Sequence, residues 1–196
     1  MTIWLTSDSH FWHANILKYN PNRPYFSVEE MNEGLIFKWN EVVKPEDTIY
    51  HLGDFSFAGR SVELYSHRLN GYRKLVPGNH DPIHPYNKHF KQSVKRGDAD
   101  YWPKFYQNHG WEVLPLTATL DIPGVAVVNL SHMPYDNEDK RYDIYKPKDD
   151  GRWLLHGHTH SLVKHRGRMI HVGVDAWDCA PVSVDQVAEI ILSNKS

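Results

Sequence analysis

The chain has 196 residues, a formal charge of −2, fourteen histidines and a single cysteine. That length suits one domain over 1–196 with a two-layer core, and the near-neutral balance lacks the basic footprint that grips a nucleic-acid polymer. Lone Cys179 excludes an intrachain disulfide framework and a cysteine-based zinc site, and reads as a small buried residue.

The first residues, Met1-Thr2-Ile3-Trp4-Leu5-Thr6, have neither the basic nor the long apolar region of a signal peptide. No stretch approaches the roughly 18 apolar residues of a membrane span. A soluble, cytoplasmic protein without a membrane partner is expected. Ile3-Trp4-Leu5 is a buried-strand run followed by Asp8-Ser9-His10. His13 is read either as a contact to a substrate phosphate or as the start of a helix over 14–19. Ser27 and Glu30 form a capping-box pattern ahead of a helix with Met31, Leu35, Trp39 and Val42 on one face and Pro45 at its end. Thr48-Ile49-Tyr50 is a strand run leading to Gly53-Asp54, and a shorter helix is expected over 61–69, stopped by Asn70-Gly71. Lys74-Leu75-Val76 leads to Gly78-Asn79-His80-Asp81. Residues 86–107 read as helix broken at Gly97 and Pro103.

Runs over 111–122 and 125–130 flank the hairpin signal Pro123-Gly124, and the second ends at Ser131-His132. Residues 133–151 are rich in Asp, Lys, Tyr and Pro, and read either as a solvated surface loop or as a substrate-facing flap. Trp153-Leu154-Leu155 precedes Gly157-His158-Thr159-His160, and 168–174 is a further strand. Ser183 with Gln186 repeats the capping box before a helix carrying Val184, Val187, Ile190 and Ile191.

Five strand ends thus carry Asp, Asn and His, and open α/β sheets place ligands beyond the carboxyl ends of their strands. Carboxylate, amide oxygen and imidazole are donors for hard-to-borderline divalent metals. Asp8, Asp54, Asn79, His10, His132, His158 and His160 are too many for one tetrahedral ion and suit two ions of higher coordination. In extended backbone, His158 and His160 would share a face, a slight turn at the strand end could then aim them at adjacent metals, and Asp54 is suited to bridge the pair. Two ions roughly 3.5–4 Å apart favour in-line displacement at phosphorus: they polarise the phosphoryl oxygens and acidify a shared water that becomes the nucleophile. His80 is placed to aid the departing alkoxide, with Asp81 available to orient its ring.

These motifs, over residues 8–160, resemble the calcineurin-like metallophosphoesterase family, and the chain is similar to its compact bacterial and phage-encoded members. The resemblance implies a four-layer α-β-β-α sandwich with two mixed sheets and the metal site on strand-end loops. It implies Asp8, His10 and His160 on one metal, Asn79, His132 and His158 on the other, and Asp54 between them. His80 would contact the phosphate or protonate the leaving group, with Asp81 as its partner. Arg23 and Arg141 are candidate substrate contacts, each also readable as a solvated arginine. Asp175 is read either as a support for a ligand histidine or as a turn residue.

The expected activity is a binuclear-metal phosphodiesterase acting on small diesters such as 2′,3′-cyclic nucleotides. Manganese is the first choice, with Fe, Zn, Ni, Co or Mg as alternatives. Phosphomonoesterase or nucleotide pyrophosphatase activity at the same site, or a non-catalytic scaffold, are the competing readings.

Overall fold

Gly, Pro, Asn and Asp cut this sequence into short strands, and the structure, a computed structural model, describes residues 1–136 and 138–194. The first half runs β1 (Ile3–Thr6), α1 (Ile16–Tyr19), α2 (Val28–Val42), β2 (Thr48–His51), α3 (Gly59–Ser66), β3 (Tyr72–Leu75), α4 (Lys88–Lys95) and α5 (Tyr101–Asn108). The second runs β4 (Trp111–Val113), β5 (Thr117–Ile122), β6 (Ala126–Ser131), β7 (Leu154–His156), β8 (His165–Arg166), β9 (Met169–His171), β10 (Val182–Ser183) and α6 (Val184–Ser193). One sheet has the order β10-β1-β2-β3-β4 and the other β5-β6-β7-β9-β8. In the first, β1 to β4 are parallel and β10 is antiparallel to β1. In the second, β6, β7 and β9 are parallel, with antiparallel β5 and β8 at the edges. This is the α/β sandwich with two mixed sheets that the sequence led us to expect.

Alternation along the strands supplies two cores. Leu5, Leu52 and Val76 from the first sheet meet Val128, Leu130, Leu155 and Ile170 from the second. On the other face of the first sheet, Ile49 and Leu75 pack with Met31, Leu35 and Trp39 of α2, Val62 of α3 and Tyr106 of α5. Full burial of such side chains contributes about 1.5–3 kcal/mol each.

Both expected caps are present. Ser27 Oγ accepts from the Glu30 N–H at 3.1 Å, although the Glu30 carboxylate reaches one residue further back, to the Phe26 N–H. Ser183 and Gln186 form the reciprocal box, and α6 then buries Val187 and Ile191. The helix expected over 61–69 starts earlier and stops at Ser66, where Arg73 takes the carbonyls of Ser66 and Leu69. Gly97, at φ +80°, separates α4 from α5. Pro103 does not break the chain: it lies in the first turn of α5, where a missing N–H has no partner to lose.

The run 111–122 is two strands in different sheets. β4 pairs with β3 and β5 with β6, and the chain crosses over at Leu114-Pro115-Leu116. Strand 168–174 is shorter than expected, because Val174 begins a 3₁₀ turn over Val174–Ala176. Residues 133–151 also contain a 3₁₀ turn, Lys140–Tyr145, that buries Tyr142.

Candidate metal centre

The loops after β1, β2, β3, β6 and β7 converge on one point, and backbone bonds stitch them together. The Asp8 N–H donates to the Gly53 carbonyl at 2.9 Å and the His10 N–H to the Asp54 carbonyl at 3.0 Å. From the second sheet, the Gly157 N–H donates to the His132 carbonyl, and the Val174 N–H to the Ser7 carbonyl. Glycine is required where these loops touch. A Cβ on Gly78 would lie 2.3 Å from both the Asp54 nitrogen and its Oδ1, and one on Gly157 would lie 2.7 Å from Asp8 Oδ2.

Asp8, His10, Asp54, His158 and His160 all hold φ between +50° and +72°. Such left-handed backbone is uncommon outside glycine, though Asp and His tolerate it better than most residues. The backbone at His158 and His160 is therefore not extended, and the turn expected at the strand end is sharper than a slight one. A left-handed turn at each residue, anchored by the His158 N–H on both Asp8 carboxylate oxygens at 3.1 Å, aims them instead.

Two overlapping donor groups result: Asp8, His10 and His160, and Asp8, Asp54 and His132, each with its ligating atoms within 4.8 Å of one another. Asp54 Oδ2 lies between them, 3.6 Å from His10 Nε2 and 3.4 Å from His132 Nε2. Asn79 joins the second group through Oδ1, 3.1 Å from His132 Nε2, while its amide nitrogen donates to the Tyr142 hydroxyl at 3.4 Å. The His158 ring stands beside them, 5.2 Å from that of His132.

Hydrogen bonding on the far side of the rings decides where their lone pairs point. His132 Nδ1 faces the Leu52 carbonyl at 2.8 Å, which can only accept, so Nδ1 carries a proton and Nε2 is the nitrogen turned towards the site. His160 Nδ1 likewise donates to Asp175 Oδ2 at 2.8 Å, leaving Nε2 facing His10 Nε2 at 3.2 Å. Asp54 Oδ2, Asn79 Oδ1 and His132 Nε2 thus converge as buried donor atoms. A cation fits this donor chemistry.

The electrostatics agree. Burial alone would raise the Asp54 carboxyl, but His132, His80 and His10 together hold it well below the usual carboxylate range. Asp8 is lowered against the same burial cost by His171, His160 and His132. Burial pushes His10 well down and His158 to about 4, so both are neutral donors at physiological pH. His132 is the exception: burial opposes its protonation, but the Asp54 charge wins and raises it to about 9, so without a cation Nε2 carries a proton shared with Asp54 that a bound ion would displace.

His80 is at the mouth of the site, its side chain 42% exposed, with Nε2 4.0 Å from Asp54 Oδ2. Asp81 does not orient it. That carboxylate is fully buried and accepts the N–H groups of Asp54 and Gly78 at 2.8 Å and of Ser56 at 3.2 Å. Asp81 therefore holds the loops of Asp54 and Asn79 together. Arg23, read as a substrate contact, is instead engaged within the protein. It is 4% exposed, donates to both Asp175 oxygens, and caps the Asp8 carbonyl at 2.7 Å and the Ser9 carbonyl at 3.2 Å. Arg141 is exposed but its guanidinium is turned onto Asp139. His13 is at the rim, its ring 5.4 Å from that of His10 and 4.1 Å from Phe57.

Three contributors escaped the sequence reading. Ser7 Oγ donates to Asp8 Oδ2 at 2.6 Å, buried His171 places Nε2 3.7 Å from that oxygen, and Tyr142 sets the Asn79 amide. His171 carried a usable signal, since it too ends a strand and precedes a glycine loop.

The chain belongs to the calcineurin-like phosphoesterase superfamily, whose domain matches residues 1–174. Membership implies metal-dependent hydrolysis of phosphoesters. The chain is 33% identical over 201 residues to the Gene 66 protein of Mycobacterium phage L5, spanning 96% of this chain and 93% of that protein. It is 32% identical over 204 residues to the uncharacterized protein MJ1445 of Methanocaldococcus jannaschii, spanning 98% and 93% respectively. The crystal structure of the protein of unknown function AQ665 from Aquifex aeolicus shares the fold, with a TM-score of 0.68 at 24% identity over 97% of this chain and 99% of that one.

Proposed function

We propose that this protein is a two-metal phosphodiesterase that hydrolyses small diesters, 2′,3′-cyclic nucleotides among them. The observation that carries this reading is Asp54 Oδ2 set between His10 and His132, so that one carboxylate oxygen lies within 3.6 Å of a histidine from each donor group. Asp8, His10 and His160 would hold one ion, and Asn79, His132 and His158 the other. The donors are all oxygen and nitrogen with no thiolate, a set that admits manganese among the hard-to-borderline divalent metals. When bound, the ions supply positive charge to the phosphoryl oxygens and acidify the attacking water.

The remaining chemistry falls to the chain. Asp175 and the Leu52 carbonyl hold the His160 and His132 tautomers, and Ser7 and the His158 N–H fix the Asp8 carboxylate. His80 protonates the leaving oxygen from its half-open position. Tyr142 brings the segment between His132 and His158 against Asn79, which supports the flap reading of 133–151 and a substituted phosphate as substrate. No helix among the described residues is long and apolar enough to cross a membrane.

The test is a manganese-reconstituted panel of phosphomonoesters, linear diesters, cyclic nucleotides and dinucleotide polyphosphates. Higher kcat/KM on diesters than on the matching monoesters supports the proposal; a consistent preference for monoesters overturns it, and full turnover after thorough demetallation overturns the metal requirement.

A further inference from the structure

A cleft of about 500 Å³ opens directly from the candidate centre on the His80 side, with Asn79 and His80 at its inner end and Phe57, Tyr86, Lys88 and Lys91 along it. Its walls are of two kinds. Phe57 is half-buried against His80, ring centroids 4.4 Å apart, and offers an aromatic surface beside the reactive end. Further out, Lys88 and Lys91 are exposed, and neither pairs with a carboxylate among the described residues. Lys91 instead rests with Nζ 4.8 Å from the Tyr86 ring, a cation–π contact that keeps the ammonium at the cleft wall.

The distance between these lysines and the chemistry is built in. Asn87 caps α4 by accepting the His89 N–H at 3.0 Å, and its amide donates to the His80 carbonyl at 2.9 Å. The His80 N–H in turn donates to Asp54 Oδ1 at 2.8 Å. Lys88 and Lys91, three apart on α4, therefore share one face of a helix whose start is tied to His80 and, through it, to Asp54.

Resting on the phosphodiesterase reading, we propose that this cleft takes the leaving group, and that the leaving group is a nucleoside bearing a second, terminal phosphate. Water adds to the scissile phosphorus and the bond to the leaving oxygen breaks. That oxygen takes a proton from His80, releasing a phosphomonoester and the phosphorylated nucleoside. The sugar and base lie along Phe57, and Lys88 and Lys91 meet the terminal phosphate. Two unpaired ammonium groups suit a dianion, and a diester lacking that phosphate leaves them unused.

The experiment compares kcat/KM for TpT with that for TpTp and pTpT on the manganese-loaded protein. The better phosphorylated dinucleotide should exceed TpT by about tenfold, with the ratio shrinking as salt rises. In Lys88→Ala/Lys91→Ala the ratio should fall towards one, while Lys95→Ala, on the same helix but outside the cleft, keeps it. A wild-type ratio near one, or a ratio unmoved in the double variant, overturns the proposal. Absence of turnover on both bis(p-nitrophenyl) phosphate and TpT is a failure of the phosphodiesterase reading itself. Calorimetric binding of thymidine 3′-phosphate then decides the cleft alone: roughly tenfold weakening in the double variant supports it, and unchanged affinity overturns it.

Discussion

Removing Asp175 tests whether the centre is supported from behind by one buried ion network. Its carboxylate accepts from Arg23 Nε at 2.8 Å, Arg23 Nη2 at 3.0 Å and His160 Nδ1 at 2.8 Å, and both the Arg23 and Asp175 side chains are nearly inaccessible. In Asp175→Ala the guanidinium stays buried without its counter-charge, a change that costs about 3–5 kcal/mol. Total stability for a domain is about 5–15 kcal/mol. For a chain this size, about 2–4 °C per kcal/mol puts the fall in Tm of metal-free protein at roughly 6–20 °C. Arg23→Met/Asp175→Leu removes both charges and should recover part of that loss. Recovery stays incomplete because the Asp8 and Ser9 carbonyls lose the donors Arg23 gave them. The assay is urea and thermal unfolding in chelator for Asp175→Ala and for the cycle of Arg23→Met, Asp175→Leu and their double variant. Costs that simply add, or an Asp175→Ala change below about 1 kcal/mol, refute the network. In the milder Asp175→Asn, loss of the partner that orients His160 should weaken metal binding about 10–100-fold by chelator competition.

Three further outcomes are expected. His80→Ala should keep its metal but lose about 10²–10⁴-fold in turnover of alkyl diesters, and much less on nitrophenyl diesters, whose leaving group barely needs a proton; equal losses would reassign His80 to phosphate binding. Gly78→Ala should lose activity and about 1–3 kcal/mol, because its Cβ meets Asp54, whereas Gly97→Ala, open to solvent, keeps activity; matched activities would remove the case for close approach. His51 is held neutral by burial, its pKa lowered from 6.5 to about 3. The unfolded chain therefore binds a proton that the native one refuses, and stability falls as pH drops from about 6.5 towards 3. Urea midpoints across that window should decline less steeply in His51→Asn, and an unchanged slope would show that other groups dominate.

What the sequence disclosed about the fold was set by local signals. β-branched runs closed by Gly, Asn or Asp located the strands that lead into the site, and the two capping boxes located α2 and α6. It erred where tertiary pairing decides. Nothing local says that Trp111 pairs beside Arg73 in one sheet while Thr117 pairs beside Ser131 in the other. Both halves mix apolar with polar residues as strands do, and only the sheet edge that receives each half separates them. Pro103 misled for the opposite reason, since a proline ends a helix or opens one according to a register fixed by the break at Gly97.

The candidate donors were readable because their residue types are costly to bury for any other reason, whereas most of their supports were not. Asp175 was open to reading as a support for a ligand histidine, which its bond to His160 bears out, but Arg23, 152 positions away, read as a substrate contact or a solvated arginine; only the fold shows that the two close a buried pair behind His160. Asp81 was misread because adjacency to His80 suggested a dyad, while its carboxylate is spent on three backbone N–H groups. The two cases share a cause. Asp8, His10, Asp54, His158 and His160 are held in left-handed backbone that costs roughly 1–2 kcal/mol per residue in an ordinary L-residue. Such strain persists only where surrounding structure over-determines it. Here Asp81 ties down the Asp54 loop, Arg23 the carbonyls of Asp8 and Ser9, and the Asp8 carboxylate the turn at His158. Charged side chains that look catalytic from their spacing thus act on the backbone, and the donors they hold in place are the ones left to meet a cation.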